Sequence, residues 1–166
     1  MIAAIQVQHR TVDSPVGPLV LAGEERGLRF LLFGRGRSVT KPHPDWEPDR
    51  GLLEEPVRQL TAYFKGHLKA FDLPLAPQGT PFQCAVWSEL QRIPYGETIS
   101  YAELARRIGN PHAVRAVGLA NGQNPIAIVI PCHRVIGSNG SLTGYGGGLP
   151  TKQALLALER GQGTLL

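Results

Sequence analysis

At 166 residues, with 42% hydrophobic and 18% charged residues, the chain suits one compact domain or two small lobes sharing an interface. Its formal charge of +4 permits a polyanionic partner without requiring one, and 7 Lys/Arg against 4 Asp/Glu over 79–166 place most of the excess in the second half. No apolar run approaches the roughly 20 residues of a membrane span, the opening Met-Ile-Ala-Ala-Ile-Gln lacks signal-peptide character, and Cys84 and Cys132 are too few for a disulfide framework or zinc-ligand spacing, so a cytoplasmic protein with free thiols is expected.

Residues 5–33 read as a small antiparallel meander. Ile5 to Val12 alternates, Ser14-Pro15-Val16-Gly17-Pro18 turns, and Leu19 to Ala22 and Leu28 to Phe33 are short apolar runs. Gly34 to Arg50, polar and rich in Gly and Pro, reads as a loop. A helical stripe at Leu53, Val57, Leu60 and Phe64 predicts a helix within 52–67, with Pro56 in its first turn. Leu73 to Gly79 reads as a linker. Thr80-Pro81-Phe82-Gln83 is a capping box with proline at the first helical position, and Phe82, Val86, Leu90 and Ile93 continue it as one apolar face.

Ser100-Tyr101-Ala102-Glu103 is a second capping box, opening a short helix that stops at Gly109. Asn110-Pro111 is expected to cap a third helix running to about Asn121. Two short helices joined this way form a helix-turn-helix pattern, which many helical domains use without touching DNA. A major-groove reader carries Arg, Asn, Gln or Lys toward base edges. This second helix instead has a stripe of Ala113, Ala116, Val117 and Ala120, with Arg115 its only fixed charge. The stripe suits either close approach to a nucleic-acid groove without sequence reading or plain packing on the preceding helix.

Ile126 to Ile130 is a continuous apolar run that predicts a buried strand, ended by Pro131. Cys132-His133-Arg134 follows at the turn. A thiol attacks as thiolate, so a neighbour must take its proton. His133 is the candidate, although adjacent residues in extended chain point opposite ways, so contact needs a turn or a bridging water. The alternative is a structural cysteine beside a surface histidine. The glycines around Tyr145 form a flexible wall or an idle loop. Thr151 to Arg160 is a helix with Leu155 and Leu158 inward and Glu159 on its flank, either solvated or orienting a histidine.

Taken together these residues resemble the O6-alkylguanine-DNA alkyltransferases. The resemblance is carried by Ile130-Pro131-Cys132-His133-Arg134-Val135-Ile136 and Gly122-Gln123-Asn124-Pro125. Upstream it includes Phe82-Gln83, Val86-Trp87, Pro94 to Thr98, Ser100-Tyr101 and Ala113 to Gly118; the first 78 residues match loosely. It implies an α/β protein of two lobes. Residues 1–78 would form a structural ribonuclease-H-like lobe with a small antiparallel sheet, and 79–166 a winged-helix-like helical DNA-binding domain holding the active site.

The implied activity is direct-reversal repair. An alkyl group passes irreversibly from O6-alkylguanine in duplex DNA to Cys132, after the nucleotide is flipped out on the minor-groove side. Cys132 would be the acceptor, His133 its water-linked base, Glu159 the carboxylate behind it, and Asn124 the residue bracing the turn. Tyr101 would help turn the nucleotide and protonate the leaving guanine. Arg115 would fill the vacated stack, with Ala116, Gly118 and Ala120 along the groove. Val135, Tyr145, Gly146 and Gly147 would wall the base pocket. No cofactor, no metal and no membrane are expected, and a monomer that acts on DNA is. Cys84 reads as a packing residue. The competing classes are a lesion-binding relative without turnover, which the presence of Cys132 opposes, and a Cys-His acyltransferase or hydrolase, which leaves Arg115 unexplained.

Overall fold

The computed structural model describes residues 5–34 and 41–161. The meander forms as expected: β1 (Gln8–Val12), β2 (Leu19–Glu24) and β3 (Gly27–Phe33) pair antiparallel in sequence. Between β1 and β2 the chain turns at Gly17, whose φ of +98° favours glycine. β2 is central and buried along its whole length. Gly27 begins β3 with φ +147°, and a Cβ there would lie 2.5 Å from the Pro74 carbonyl oxygen, so the following linker passes this close only because the residue is glycine.

The stretch expected to be loop contributes one short strand, β4 (Glu47–Pro48), parallel to β1, giving the order β3-β2-β1-β4. Two residues without alternation carry no strand signal; β1's free edge supplies the order. Residues 35–40 of that stretch lie outside the described residues. Helix α1 (Glu54–Phe64) buries Leu60, Tyr63 and Phe64, and Pro56 sits in its first turn, where a backbone N–H has no helical partner to lose.

The linker is held along β3 by two hydrogen bonds, Leu28 N–H to the Pro74 carbonyl and Ala76 N–H to the Leu28 carbonyl. Helix α2 (Pro81–Leu90) then starts on a complete capping box of Thr80 and Gln83. After it come β5 (Ile99–Ser100), α3 (Tyr101–Arg107) and α4 (Val114–Gly122). Val86, Leu90, Leu104, Ala105, Val117 and Ala120 close the centre of this lobe. The Trp87 indole N–H donates to the Ala120 carbonyl at 2.9 Å, which ties α2 to α4. A one-turn 3-10 helix at Cys132–Arg134 leads into β6 (Val135–Ile136), paired parallel with β5, and α5 (Leu149–Glu159) follows.

Three local expectations are corrected. The second capping box is half formed: Ser100 accepts from the Glu103 N–H, but Glu103's carboxylate turns to Arg106 and Arg107 within α3. Helix α4 starts at Val114, because Asn110-Pro111 forms a separate turn in which Ala113 N–H bonds to the Asn110 carbonyl. The run from Ile126 to Ile130 is no strand. Ile126 makes one bridge to Leu31 and then the chain coils, with Val129 N–H on the Ala127 carbonyl and Ile130 N–H on the Ile126 carbonyl. Ile128 has φ +72°, an unfavourable conformation for a β-branched residue, held by complete burial of its side chain. Continuous apolarity reports burial, and here burial comes from the seam between lobes, where Leu31 N–H bonds to the Pro125 carbonyl and Ala127 N–H to the Leu31 carbonyl.

Thr80→Ala removes the hydroxyl that accepts from the Gln83 N–H, while the bond from the residue 80 N–H to Gln83 Oε1 remains possible, and is expected to destabilise the fold by about 1 kcal/mol. A urea midpoint equal to wild type would contradict the role given to the cap.

Candidate active site

Cys132 opens the 3-10 turn and is only 7% exposed, at the edge of a cavity of about 510 Å³. The cavity lies where the lobes meet: Leu31, Leu32 and Phe33 of β3 face Asn121 and Asn124, with Tyr145 and Gly146 closing another side. Asn124 braces the coil before the cysteine. Its Nδ2 donates to the Ile130 carbonyl at 2.7 Å and its Oδ1 accepts from Ile126 N–H at 3.0 Å. Asn121, from the last turn of α4, donates to the Cys132 carbonyl at 3.5 Å. Burial pushes the thiol's pKa up, partly offset by a hydrogen bond with Asn124 and by the Lys152 ammonium.

The turn at Pro131 points His133 inward, where it is fully buried. Its Nε2 meets Glu159 Oε2 at 2.7 Å. The same carboxylate takes Arg134 Nε on Oε1 at 2.7 Å, Arg134 Nη2 on Oε2 at 3.0 Å, the Tyr63 hydroxyl on Oε2 at 2.6 Å and Gly96 N–H on Oε1 at 3.3 Å. Burial pushes the Glu159 carboxyl up, but the hydrogen bonds from His133 and Arg134 outweigh it and hold it well below the carboxylate range. An ionised Glu159 only accepts, so the proton of neutral His133 sits on Nε2 and Nδ1 carries the lone pair. That Nδ1 is buried and has no partner among the described residues. Burial lowers the His133 pKa more than Glu159 raises it, keeping the ring neutral. Cys132 is therefore followed, in the same 3-10 turn, by a buried neutral imidazole whose acceptor nitrogen has no partner among the described residues.

Tyr101 stands in the first turn of α3, and its phenol oxygen accepts from Thr143 Oγ1 at 2.9 Å, which leaves its own proton available. Arg115 and Ala116 lie exposed on α4, and Arg115 makes no ion pair among the described residues. Gly118 faces the Tyr101 ring, where an added Cβ would lie at 3.8 Å. The small-residue stripe is thus divided: Val117 and Ala120 are buried, and only Ala116 is on the exposed face. Ala120 is corrected from a groove contact to a core residue, because the i, i+3 spacing from Val117 turns both toward α2.

Two pocket expectations also change. Tyr145 and Gly146 line the cavity, but Val135 is fully buried, paired with Ile99, and its carbonyl already accepts from Lys152 Nζ at 2.7 Å. Gly147 packs beneath Phe33, where a Cβ would come within 3.0 Å of the ring. Cys84 does not pack in a core: it is exposed on α2.

Residues not singled out from sequence complete the cluster. Arg134 and Tyr63 hold Glu159, and Lys152 joins Val135 to the Thr143 carbonyl, which it reaches at 3.3 Å. Lys152, Leu155 and Glu159 at i, i+3 and i+7 share the inward face of α5, so helical spacing flags the lysine. Tyr63 comes from the other lobe, 96 residues away, and no local pattern marks it.

The His133 shift has a stability consequence. An unfolded histidine takes up a proton below about pH 6.5, which the buried ring resists, so the unfolded state binds more protons in that window and stability falls as pH drops. Melting temperature should decrease from pH 7.5 to 5.5, with a shallower slope in His133→Gln. Equal slopes in the two proteins would contradict a buried neutral ring.

Known proteins match the chain along both lobes. Residues 7–77 match the family model described as 6-O-methylguanine DNA methyltransferase, ribonuclease-like domain, and residues 81–161 match its DNA binding domain. A Methanosarcina acetivorans protein named methylated-DNA–protein-cysteine methyltransferase is 55% identical over 147 residues, 89% of this chain and 94% of its own. A Mycobacterium tuberculosis protein of the same name is 54% identical over 155 residues, 93% of each chain. The crystal structure of Mycobacterium tuberculosis OGT in complex with DNA aligns with a TM-score of 0.87 at 54% identity, covering 95% of each chain. The two-lobed α/β architecture is that of these relatives. With both lobes matched and the Cys132 motif in place, the chain belongs to the 6-O-methylguanine DNA methyltransferase family.

Proposed function

We propose that the protein repairs duplex DNA by moving the alkyl group of O6-alkylguanine onto Cys132, once per molecule. The observation that carries this reading is the near-buried thiol at a cavity edge, followed in the same 3-10 turn by a buried neutral histidine whose acceptor nitrogen is unpartnered among the described residues and whose other nitrogen is fixed by an ionised carboxylate. The names of the relatives and the DNA complex of the mycobacterial protein support it.

The thiol's proton passes toward His133 Nδ1 as the sulfur attacks the alkyl carbon. A carbon–sulfur bond forms, the carbon–O6 bond breaks, and its electron pair leaves with guanine. Tyr101 supplies the proton that makes guanine a neutral leaving group, and the site returns the thiol's proton to the phenol, so the count balances. The product is a thioether, which water does not cleave. One chain therefore repairs one lesion, and no metal or cofactor enters these steps.

A base stacked in a duplex does not reach a thiol that is only 7% exposed. The nucleotide is turned out of the stack into the cavity, and Arg115, free on the outer face of α4, occupies the space it leaves. Asn124 keeps the coil before Cys132 closed, and Tyr145 and Gly146 flank the base.

Intact-mass and peptide analysis after mixing with duplex DNA containing O6-methylguanine should show one methyl per chain, on Cys132. Repeated turnover, or methyl on the exposed Cys84, would overturn the proposal. Arg115→Ala should slow repair of the duplex by at least tenfold, on the order of one lost base or phosphate contact, while reaction with free O6-methylguanine stays near wild type. Equal losses on both substrates would remove Arg115 from the flipping step.

A further inference from the structure

The reactive groups all belong to the second lobe, yet one hydrogen bond on Glu159 comes from the first. Tyr63, in the last turns of α1, is fully buried and donates to Glu159 Oε2 at 2.6 Å. His133 Nε2 meets the same oxygen at 2.7 Å. Two donors on one oxygen share its electron density, so each weakens what the other receives. Arg134 adds its own hydrogen bond to that oxygen at 3.0 Å.

We infer that Tyr63 is a positioning residue for the alkyl transfer: by drawing on Glu159 Oε2 it limits the basicity passed to His133, so that His133 stays neutral and Nδ1 stays free to accept the thiol's proton. The inference rests on the reading of Cys132 as the acceptor. A carboxylate relieved of Tyr63 binds the Nε2 proton more strongly and favours the imidazolium. An imidazolium has no lone pair at Nδ1 and does not accept from the thiol. The ionisable groups set around the His133–Glu159 pair are Tyr63 of α1, Tyr95 after α2, Cys132 and Arg134 of the 3-10 turn, Tyr145, and Lys152 of α5. Arg134 and Lys152 disfavour the imidazolium by charge, and Tyr63 adds to them through Oε2 without charge.

The Tyr63 ring is separately held by aromatic packing, edge-on to Phe64 at 5.5 Å and to Tyr95 at 6.3 Å and tilted on Phe71 at 5.4 Å. Tyr63→Phe therefore deletes the donor and keeps the packing. The test follows Cys132 alkylation by iodoacetamide against pH, with the His133 ring titration read by NMR in the same protein and methyl transfer from O6-methylguanine DNA measured alongside. In Tyr63→Phe the His133 titration and the acid limb of Cys132 reactivity should both move up by about half to one pH unit, the scale of one ordinary hydrogen bond. Site-specific 3-fluorotyrosine at position 63, a stronger donor, should move both down and decides the matter if the phenylalanine variant does not fold. Profiles superimposable on wild type, with or without a lower melting temperature, would overturn the inference. Wild-type protein that takes iodoacetamide but no methyl group would instead overturn the proposed function and leave the Tyr63 result standing on its own.

Discussion

A carboxylate buried as deeply as Glu159 remains charged only if its surroundings replace the water it has lost. Here the replacement is five hydrogen bonds from four donor residues: two from Arg134, and one each from His133, Tyr63 and the Gly96 backbone. Those donors arrive on α1, on the turn after α2 and on the 3-10 turn, while the acceptor ends α5. One charge thus requires four separated segments to converge. Breaking such a buried arrangement by removing one ionic partner typically costs about 3–5 kcal/mol, because the remaining charge is stranded. The active site and the junction of the lobes are for this reason the same piece of structure.

The Cys132 thiol is built on the opposite logic. Its charge is unwelcome at rest, since burial favours the protonated form and outweighs the hydrogen bonding from Asn124 and the backbone and the pull of Lys152 that ease the thiolate. The coil that presents it stores strain at Ile128 and is kept shut by Asn124 and by hydrogen bonds from β3. The first lobe consequently does more than cover apolar surface: its edge strand β3 walls the cavity and anchors the coil, while α1 reaches the carboxylate. On the proposed reading, a thiol kept protonated until a base fills the cavity is protected from adventitious alkylation.

What the sequence made legible was local or strongly patterned. Thr80 and Gln83 announce a helix start because each satisfies a backbone donor of the other within three residues. The meander strands are bounded by turn residues, and the run around Cys132 and His133 with the preceding Asn124 carries its own signature. Features set by distant partners were not legible. Nothing near Tyr63 says that it meets Glu159, and the apolar run from Ile126 to Ile130 hides a coil because only its contact with Leu31 decides its shape. Ala120 was placed on the wrong side because a helix of small residues gives weak periodicity, so its inward face is set by what packs on it; Cys84, two residues from both Phe82 and Val86, lies off the apolar face of α2. Trp87, bonding to the Ala120 carbonyl, makes that choice for α4.

The exposed side of α4 then acquires a definite character. With Val117 and Ala120 committed to the core, Val114, Arg115, Ala116 and Leu119 remain outward, three apolar residues around one unpaired cation. The charges of α3 are largely consumed internally, since Glu103 engages both Arg106 and Arg107. A surface of this kind offers a nucleic acid little to hydrogen-bond at base edges and few phosphate-neutralising groups. On the proposed reading its contribution is shape, with small side chains permitting close approach and Arg115 entering the gap left by the flipped nucleotide. The same reading spreads affinity evenly over sequence and defers discrimination to the cavity, where the proposed chemistry at Cys132 decides.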